Sequence, residues 1–508
     1  MIFGDRTTYL ICSLTSPTLE AMRADLSAAV SRGATAVECR LDYLRDIPAA
    51  DSIGRLLGNL PVPVIATFRP AREGGHYTGD EKRRLDVLRQ AARLPRVMVD
   101  LEMDVPLECW PSPDKVILSH HNFQQRPADL DQILRRLAAT PAAVHKIAFA
   151  AAGPEDALAA LDLLRAASKP TLALAMGEAG ILSRVLAKKF GAFGTFCAMS
   201  KGRETAPGQL TVNDMLHLYN WDSIDAHTAV YGVIGCPIAH SMSPAVHNAA
   251  LAEAGLNAVY LPLRIEKGPE PFNRFMDELL RRPWLDVRGL SVTIPHKENA
   301  LAYVQPPHCD DLARKIGAIN TITLSREGTP MTLRGDNTDY AAAIDALCDG
   351  MQIRREDLAG RSAAVLGAGG VARAIVAGLT RYRAKVTVFN RTQARAESLA
   401  REFECEAAPL DEVAGVEDEI IINCTSLGMH PRQDDSPLLA LSPATRVVFD
   451  TIYNPLETRL LRQARRAGCL TVSGLEMFVN QAAAQFELWT RQPAPRDVMR
   501  QTILQRLG

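Results

Sequence analysis

Long apolar runs are missing from this 508-residue chain: none approaches the eighteen or so residues that a membrane span needs, so no membrane partner is expected. Charge of one sign is missing too. Lysine and arginine number 57 against 58 acidic residues, the formal net charge is -1, and no block of like charge stands out. That balance argues against a nucleic-acid or anionic-membrane partner and leaves a small molecule as the expected one. The ten cysteines are scattered with no C-x-x-C pair, and several fall inside apolar strand-like segments, as reduced structural thiols do. No metal is expected. The opening MIFGDRTTYLICSLT lacks a basic n-region, an apolar core with a cleavage site, and an Arg/Ser-rich transit stretch. A cytoplasmic location is therefore expected.

The length is too great for one core, and ordinary domain sizes predict three units. From Tyr9 to Ser200, β-rich runs alternate with Ala/Leu/Arg-rich helical stretches. Eight strands are predicted, beginning near Tyr9, Ala36, Val62, Val97, Lys115, Ala143, Pro170 and Gly194. That cadence fits a (β/α)8 barrel. The alternative, a doubly wound open sheet, usually has fewer units and a glycine-rich first turn, and this half shows neither.

Lys146 interrupts the apolar run from Val144 to Ala150. At a strand end it could simply reach water. Buried, it has another use, because burial disfavours an ammonium and a neutral amine condenses with ketones. Its company decides between the two. Glu38, Arg40, Arg69, Glu73, His121 and Arg184 all fall at or just beyond the C-terminal ends of predicted strands, the end where barrels place their chemistry. A Schiff base on Lys146 acidifies the adjacent C–H, and a histidine can take that proton and return it to a leaving hydroxyl. Arginines bind carboxylates, so the substrate is expected to be an anionic hydroxy-ketone. The polar loop Lys201 to Leu210 is suited to closing over the mouth.

These residues resemble the type I 3-dehydroquinate dehydratases over residues 6 to 220. The resemblance rests on E-C-R (Glu38 to Arg40), F-R-x-x-x-E (Phe68 to Glu73), S-x-H-x-F (Ser119 to Phe123), the strand lysine, M-G-x-x-G-x-x-S-R (Met176 to Arg184) and A-P-G-Q (Ala206 to Gln209). It implies Lys146 as the nucleophile, His121 as general acid/base and Glu73 as its orienting group. Glu38, Arg40, Arg69, Arg184 and Gln209 would hold the substrate. Thr205 stands where bacterial members usually carry serine. A hydroxyl is kept there, so tuned loop closure is expected rather than lost function.

The barrel pattern ends near residue 226, and a new strand begins at Ala229. Arg361 to Leu379 reads as an apolar strand, a glycine turn and a helix, with Gly367, Ala368, Gly369, Gly370, Val371 and Ala372 fitting G-x-G-x-x-A. Glycines in that turn let backbone N–H groups approach a pyrophosphate. The second strand ends in Asn390, Arg391 and Thr392 rather than in an acid. Arg391 can pair with a 2′-phosphate that a carboxylate would repel, so NADP(H) is the expected cofactor. Ahead of this lobe stand polar clusters containing Ser241, Ser243, Thr293, Lys297, Asn320 and Asp339. The serines could merely cap the helix after them, and Lys297 with Asp339 could be a surface ion pair. Against this, reducing a ketone by hydride transfer requires a proton donor, and a Lys/Asp dyad supplies one.

In this order the clusters resemble the shikimate dehydrogenases over residues 229 to 508, with N-C-T-S-L-G-M from Asn423, D-T-I-Y-N-P from Asp450 and G-L-E-M-F-V-x-Q-A from Gly474 completing the match. The resemblance implies Lys297 and Asp339 as the catalytic pair. Ser241, Ser243, Thr293, Asn320, Tyr453 and Gln481 would bind substrate, and the glycine turn with Asn390 to Thr392, Thr425 and Gly474 would bind the cofactor. The expected architecture is a TIM barrel (1–226), a substrate-binding lobe (227–342, completed by 475–508) and a Rossmann-type lobe (343–474). Together the two resemblances imply consecutive reactions, dehydration of 3-dehydroquinate and NADPH-dependent reduction of 3-dehydroshikimate to shikimate. Two other readings stand beside this. A silent first half would not need an intact Lys146, His121 and Glu73. A quinate dehydrogenase would tend to vary Ser243 and Thr293.

Overall fold

A computed structural model describes residues 8–46, 50–58, 60–325 and 331–507, so the first seven residues of the targeting argument lie outside the described ones. Eight parallel strands come first: β1 (Tyr9–Leu14), β2 (Ala36–Arg40), β3 (Val64–Thr67), β4 (Val97–Glu102), β5 (Val116–Asn122), β6 (Val144–Ala150), β7 (Thr171–Met176) and β8 (Gly194–Ala198). Helices α1 (Leu19–Ser31), α2 (Ala50–Leu57), α3 (Glu81–Ala92), α4 (Leu130–Ala138), α5 (Pro154–Ala166) and α6 (Ile181–Val185) join them. The β4–β5 connection departs from the expected repeat. Pro106, Pro111 and Pro113 fall within its thirteen residues, remove helical N–H donors, and leave only two short 3₁₀ turns.

The barrel is nearly closed. Its ladder runs β7-β6-β5-β4-β3-β2-β1-β8, and no ladder joins β7 to β8. Residue 193 just before β8 donates a single backbone bond to Thr171 (2.9 Å). Helix α6 packs beside this seam, and the Arg184 guanidinium it carries reaches the Phe196 carbonyl of β8 at 3.5 Å.

The second half holds two sheets. One is mixed, in the order β10-β9-β11-β12-β13, from β9 (Ala229–Gly235), β10 (Ala258–Arg264), β11 (Val287–Val292), β12 (Thr321–Ser325) and β13 (Thr332–Asp336). Helices α7 (Ser243–Glu253), α8 (Pro269–Leu280), α9 (Lys297–Val304) and α10 (Asp311–Ile316) accompany it, and α11 (Asp339–Met351) leads to the other sheet. That sheet is parallel, with β14 (Ser362–Leu366), β15 (Lys385–Asn390), β16 (Glu406–Pro409), β17 (Ile420–Asn423), β18 (Val447–Asp450) and β19 (Leu470–Ser473). Its order, β16-β15-β14-β17-β18-β19, is the 3-2-1-4-5-6 arrangement of dinucleotide-binding sheets. Helices α12 (Gly370–Arg381), α13 (Gln393–Phe403) and α14 (Arg459–Arg466) belong to it. Helices α15 (Gly474–Thr490) and α16 (Arg496–Leu507) return to the mixed sheet, where Leu475, Val479, Phe486, Met499 and Ile503 share a core with Tyr231 and Tyr260.

The two halves pack against each other through α5 and α8. On α5, Glu155 and Asp162 lie seven residues apart, hence on one face. They pair with Arg274 (2.8 Å) and Arg282 (2.7 Å) of the second half, and Glu178 pairs with Arg264 (3.2 Å). Trp284 meets Phe190 edge-on at 5.0 Å and carries Arg165 over its face at 4.5 Å. The Lys189 ammonium holds the linker by the carbonyls of Ala226 and Thr228. No helix among the described residues is long and apolar enough to cross a membrane.

Candidate active sites

Period two along the barrel strands builds the first site. An apolar layer that includes Ile11, Ala36, Ile65, Met98, Ile117 and Val144 seals the barrel interior. The next inward position on each of the first six strands, two residues on, is polar: Ser13, Glu38, Thr67, Asp100, Ser119 and Lys146, whereas β7 and β8 keep Leu174 and Phe196. One step further, at the mouth, come Arg40, Arg69, Glu102 and His121. One cavity is lined by Glu38, Arg40, Arg69, Glu73, His121, Lys146, Arg184, Thr205 and Gln209, so every barrel residue singled out in the sequence is brought together.

Lys146 is 6% exposed, and its ammonium does not stand alone. It donates to Asp100 Oδ2 at 2.8 Å, lies 3.9 Å from Glu38 Oε1 and sits 4.6 Å from the Phe196 ring centroid. Asp100 also receives Arg69 (2.8 Å) and the Ser119 hydroxyl (2.6 Å). Burial alone would raise this carboxyl, but Arg69 and Lys146 outweigh it and hold Asp100 well below the usual range. Arg69 reaches on to Glu102 (2.7 Å), which the fully buried Arg84 holds from the other side (2.8 Å). Burial, with Arg69 and Lys146 beside it, drives His121 far below an ordinary histidine, so its imidazole is neutral. Its Nδ1 faces Glu73 Oε2 at 3.6 Å, and burial in turn raises Glu73.

Arg40 is committed to Asp42 in a two-bond fork of 2.9 and 2.8 Å. Arg184 is not committed. It is 2% exposed, has no acidic partner among the described residues, and leaves its Nε without an acceptor. Burial pushes its guanidinium down to about 10. A buried cation aimed into a cavity without a counterion is a carboxylate site in waiting. The loop supplies a second open donor: Gln209 Oε1 accepts from the Thr205 amide (2.8 Å) and hydroxyl (3.2 Å), while its buried Nε2 has no partner.

In the second half, Ser241, Ser243, Thr293, Lys297, Asn320, Asp339, Tyr453, Gly474 and Gln481 line one cavity together with Val371. Lys297 opens α9 and Asp339 opens α11, and their side chains pair at 2.6 Å, 15% and 9% exposed. This is no surface ion pair. Asn320 donates to the other oxygen of Asp339 (2.9 Å) and accepts from the Thr338 amide (2.9 Å), which fixes the dyad's orientation. Helix α7 begins at Ser243, and Ser241 Oγ accepts from the Ser243 amide at 3.3 Å, so Ser241 supports the helix start as well as lining the cavity, while Ser243 opens the helix rather than capping it. The Tyr453 ring rests 4.7 Å from Phe478, and burial raises its hydroxyl.

The residues of the glycine turn fit a dinucleotide. Gly367 has φ +112°, a conformation that favours glycine, and a Cβ there would meet the Cys424 backbone at 3.2 Å. Nothing lies within 4 Å of where a Cβ would stand on Gly369 or Gly370, so the first turn of α12 is open to a ligand. Arg391 is exposed and has no ion pair among the described residues, which leaves it available to a phosphate. Other expected contacts are structural here. Ala372 is fully buried between α12 and the sheet, Asn390 donates its side-chain amide to the Thr392 carbonyl (2.9 Å), and Thr425 is bonded to Asn423 (2.7 Å).

Sequence reasoning missed Asp100 and Glu102, although the alternation in VMVDLEM placed both on the inward face of β4. It also missed Ser291 and Gln485, which line the second cavity. Ser291 donates to Gln485 Oε1 (2.8 Å) and accepts from the Tyr260 hydroxyl (2.6 Å), and Gln485 donates to the Asn320 carbonyl (3.0 Å). The one available signal was the spacing of four between Gln481 and Gln485, which stacks them on one face of α15.

Comparisons with known proteins agree with this geometry. Residues 10–226 match the type I 3-dehydroquinase family. Residues 233–322 match the shikimate dehydrogenase substrate binding domain, 350–434 the shikimate/quinate 5-dehydrogenase family, and 474–504 the shikimate 5′-dehydrogenase C-terminal domain. A shikimate dehydrogenase (NADP(+)) of Methanosarcina mazei is 39% identical over 292 residues, 55% of this chain and 98% of that protein. A crystal structure of a shikimate dehydrogenase in complex with NADP+ superposes with a TM-score of 0.50 at 35% identity, covering 56% of this chain and 98% of the other. The chloroplastic bifunctional 3-dehydroquinate dehydratase/shikimate dehydrogenase of Arabidopsis thaliana is 38% identical over 513 residues, 96% of this chain and 83% of that one. With 96% of its length matched to a relative that carries both halves, this chain belongs to the bifunctional 3-dehydroquinate dehydratase/shikimate dehydrogenase family.

Proposed function

We propose that the lyase and the NADP-dependent oxidoreductase divide the chain near residue 226, and that the first works through a Schiff base on Lys146. The Lys146 amine adds to the substrate ketone and expels water, leaving an iminium. Neutral His121 takes the acidified α-proton and returns it to the departing hydroxyl, so that water leaves, and hydrolysis then frees the lysine. Glu73 orients the imidazole. The proton that the lysine gives up before it adds leaves with the expelled water, and Asp100 and Glu38, already beside Nζ, stabilise the iminium that results without rearrangement. Arg184 takes the substrate carboxylate, with Gln209 closing over it. The unpaired, buried Arg184 in the cavity of Lys146 is the observation that carries this reading.

In the second half, Lys297 gives a proton to the carbonyl oxygen as it becomes a hydroxyl, and Asp339, held by Asn320, orients the ammonium. NADPH, when bound, supplies the hydride. The open turn at Gly369 and Gly370 holds its pyrophosphate and Arg391 its 2′-phosphate. Retention of Ser243 and Thr293 supports shikimate as the product. Residues 227–342 with 475–508 then form the substrate lobe and 343–474 the cofactor lobe. Ten free thiols favour the cytosol.

The test is incubation of the protein with 3-dehydroquinate and NADPH, followed by chromatography. Shikimate, with matching NADPH loss, is expected. Accumulated 3-dehydroshikimate would leave the reductase misassigned, quinate would mean the wrong ketone is reduced first, and unchanged substrate would sink the imine chemistry.

A further inference from the structure

We infer that Arg264, a residue of the dehydrogenase half, is a positioning residue of the dehydratase site. The inference rests on the reading of the barrel cavity given above. Arg264 ends β10, and its Nη1 donates to Glu178 Oε2 at 3.2 Å across the boundary between the halves. Glu178 opens the turn between β7 and α6, one residue after Gly177 and six before Arg184.

Gly177 is where the closing loop is seated. Its amide donates to the Pro207 carbonyl at 2.8 Å, and a Cβ on Gly208 would lie only 2.1 Å from the Gly177 oxygen. The loop thus meets the turn backbone to backbone, with no side chain to absorb a shift. Thr205 and Gln209 stand on either side of that contact, and both line the cavity. Whatever fixes Glu178 therefore fixes the seat of the loop and the start of the helix that carries the carboxylate clamp. Arg264 does so from outside the barrel. It is itself held by Glu266 (2.8 Å), and the next residue, Ile265, is anchored through its N–H to Gly235 (3.3 Å) and through its carbonyl to His296 (2.9 Å). Behind the contact is a built strand end, not a free side chain.

The pair is partly exposed, with side chains 42% and 30% accessible, which limits its strength to that of a surface contact. The consequence falls on binding, because loop seating and the clamp act on the substrate while Lys146 and His121 are untouched. The test uses the full chain carrying Arg264→Ala, Glu178→Ala, both together, and the reversed pair Arg264→Glu with Glu178→Arg. Each single change is expected to raise the dehydratase KM for 3-dehydroquinate by about two- to fivefold, with kcat and borohydride trapping of the Lys146 adduct retained. The double variant is expected to be no worse than either single, and the reversed pair to recover the parent KM. Unchanged KM in the single variants, or effects that multiply in the double, would overturn the inference while parent turnover leaves the dehydratase reading standing. A parent that does not turn over 3-dehydroquinate would overturn that reading and the inference with it.

Discussion

Nζ of Lys146 and Oδ2 of Asp100 stand 2.8 Å apart inside the barrel, joined through Asp100 to Arg69 and Ser119. Burial alone is the wrong description of this lysine, since its cation is matched by a carboxylate that the neighbouring arginine keeps ionised. Asp100→Asn preserves shape and removes the charge. Breaking one partner out of a buried pair costs about 3–5 kcal/mol. Thermal denaturation should show that loss, and the dehydratase rate should fall about 100-fold, as when one preorganised electrostatic contact is removed. An unchanged rate would make Asp100 structural only.

The two sites are expected to fail separately. Lys146→Ala should abolish dehydration and spare the reduction of 3-dehydroshikimate. Lys297→Ala should do the reverse, lowering the reductase by about 10²–10⁴-fold. Separate assays with each substrate decide it, and loss of both activities in either variant would contradict independent chemistry.

Arg184 is expected to cost stability and to serve binding. Arg184→Met keeps the length and removes a buried cation that has no counterion, so the unliganded protein should be as stable as the parent or more so, by up to about 4 kcal/mol. The same change should raise the dehydratase KM at least 100-fold, by loss of the charged hydrogen bonds to a carboxylate. Destabilisation in a urea titration would show that Arg184 is already satisfied in the empty site.

Asp450 sets a pH dependence. It accepts from Asn423 (3.0 Å), the Ile452 amide (3.1 Å) and Thr458 (2.7 Å), yet burial pushes it up to about 6 from 3.8. A raised carboxyl binds its proton more tightly when folded, so its contribution is greatest below the unfolded value. That contribution falls as pH rises through 4 to 6 and is level above, a span on the order of 3 kcal/mol. Asp450→Asn should therefore gain stability relative to the parent as pH goes from 4.5 to 7.5. Urea midpoints at the two values measure it, and a constant difference would contradict the shift.

Arg391→Ala should raise the KM for NADPH at least tenfold and leave the KM for NADH nearly unchanged, because the proposed role of the side chain is to pair with the 2′-phosphate that only the former carries. Equal loss with both cofactors would move the phosphate site elsewhere.

Much of this molecule was legible in its residues. All eight barrel strands lie where β-rich runs alternate with helical ones, and period two alone lines up Ala36, Glu38 and Arg40. What could not be read was pairing. Asp100 lay in plain sight within an apolar strand, but its meaning depends on Arg69 from β3 and Lys146 from β6, which only the closed ring brings to it. The missing helix between β4 and β5 was announced by Pro106, Pro111 and Pro113. The serines before α7 were ambiguous because S-x-S-P satisfies a cap and a ligand site equally well, and Ser241 meets both descriptions, accepting from the Ser243 amide while lining the cavity. Arg264 carried no signal, since its partner is 86 residues away in a different half.

The unladdered joint between β7 and β8 makes the barrel a split ring. In a fully laced barrel, displacing one strand end breaks hydrogen bonds on both sides. Here the seam is held by the bond to Thr171, by the Arg184 bond to the Phe196 carbonyl and by the packing of α6 on both strands rather than by a ladder. Helix α6 and Arg184 sit on the lip of that split, so the cation proposed to hold the substrate's carboxylate belongs to the stretch of wall that side-chain contacts, not a ladder, hold shut.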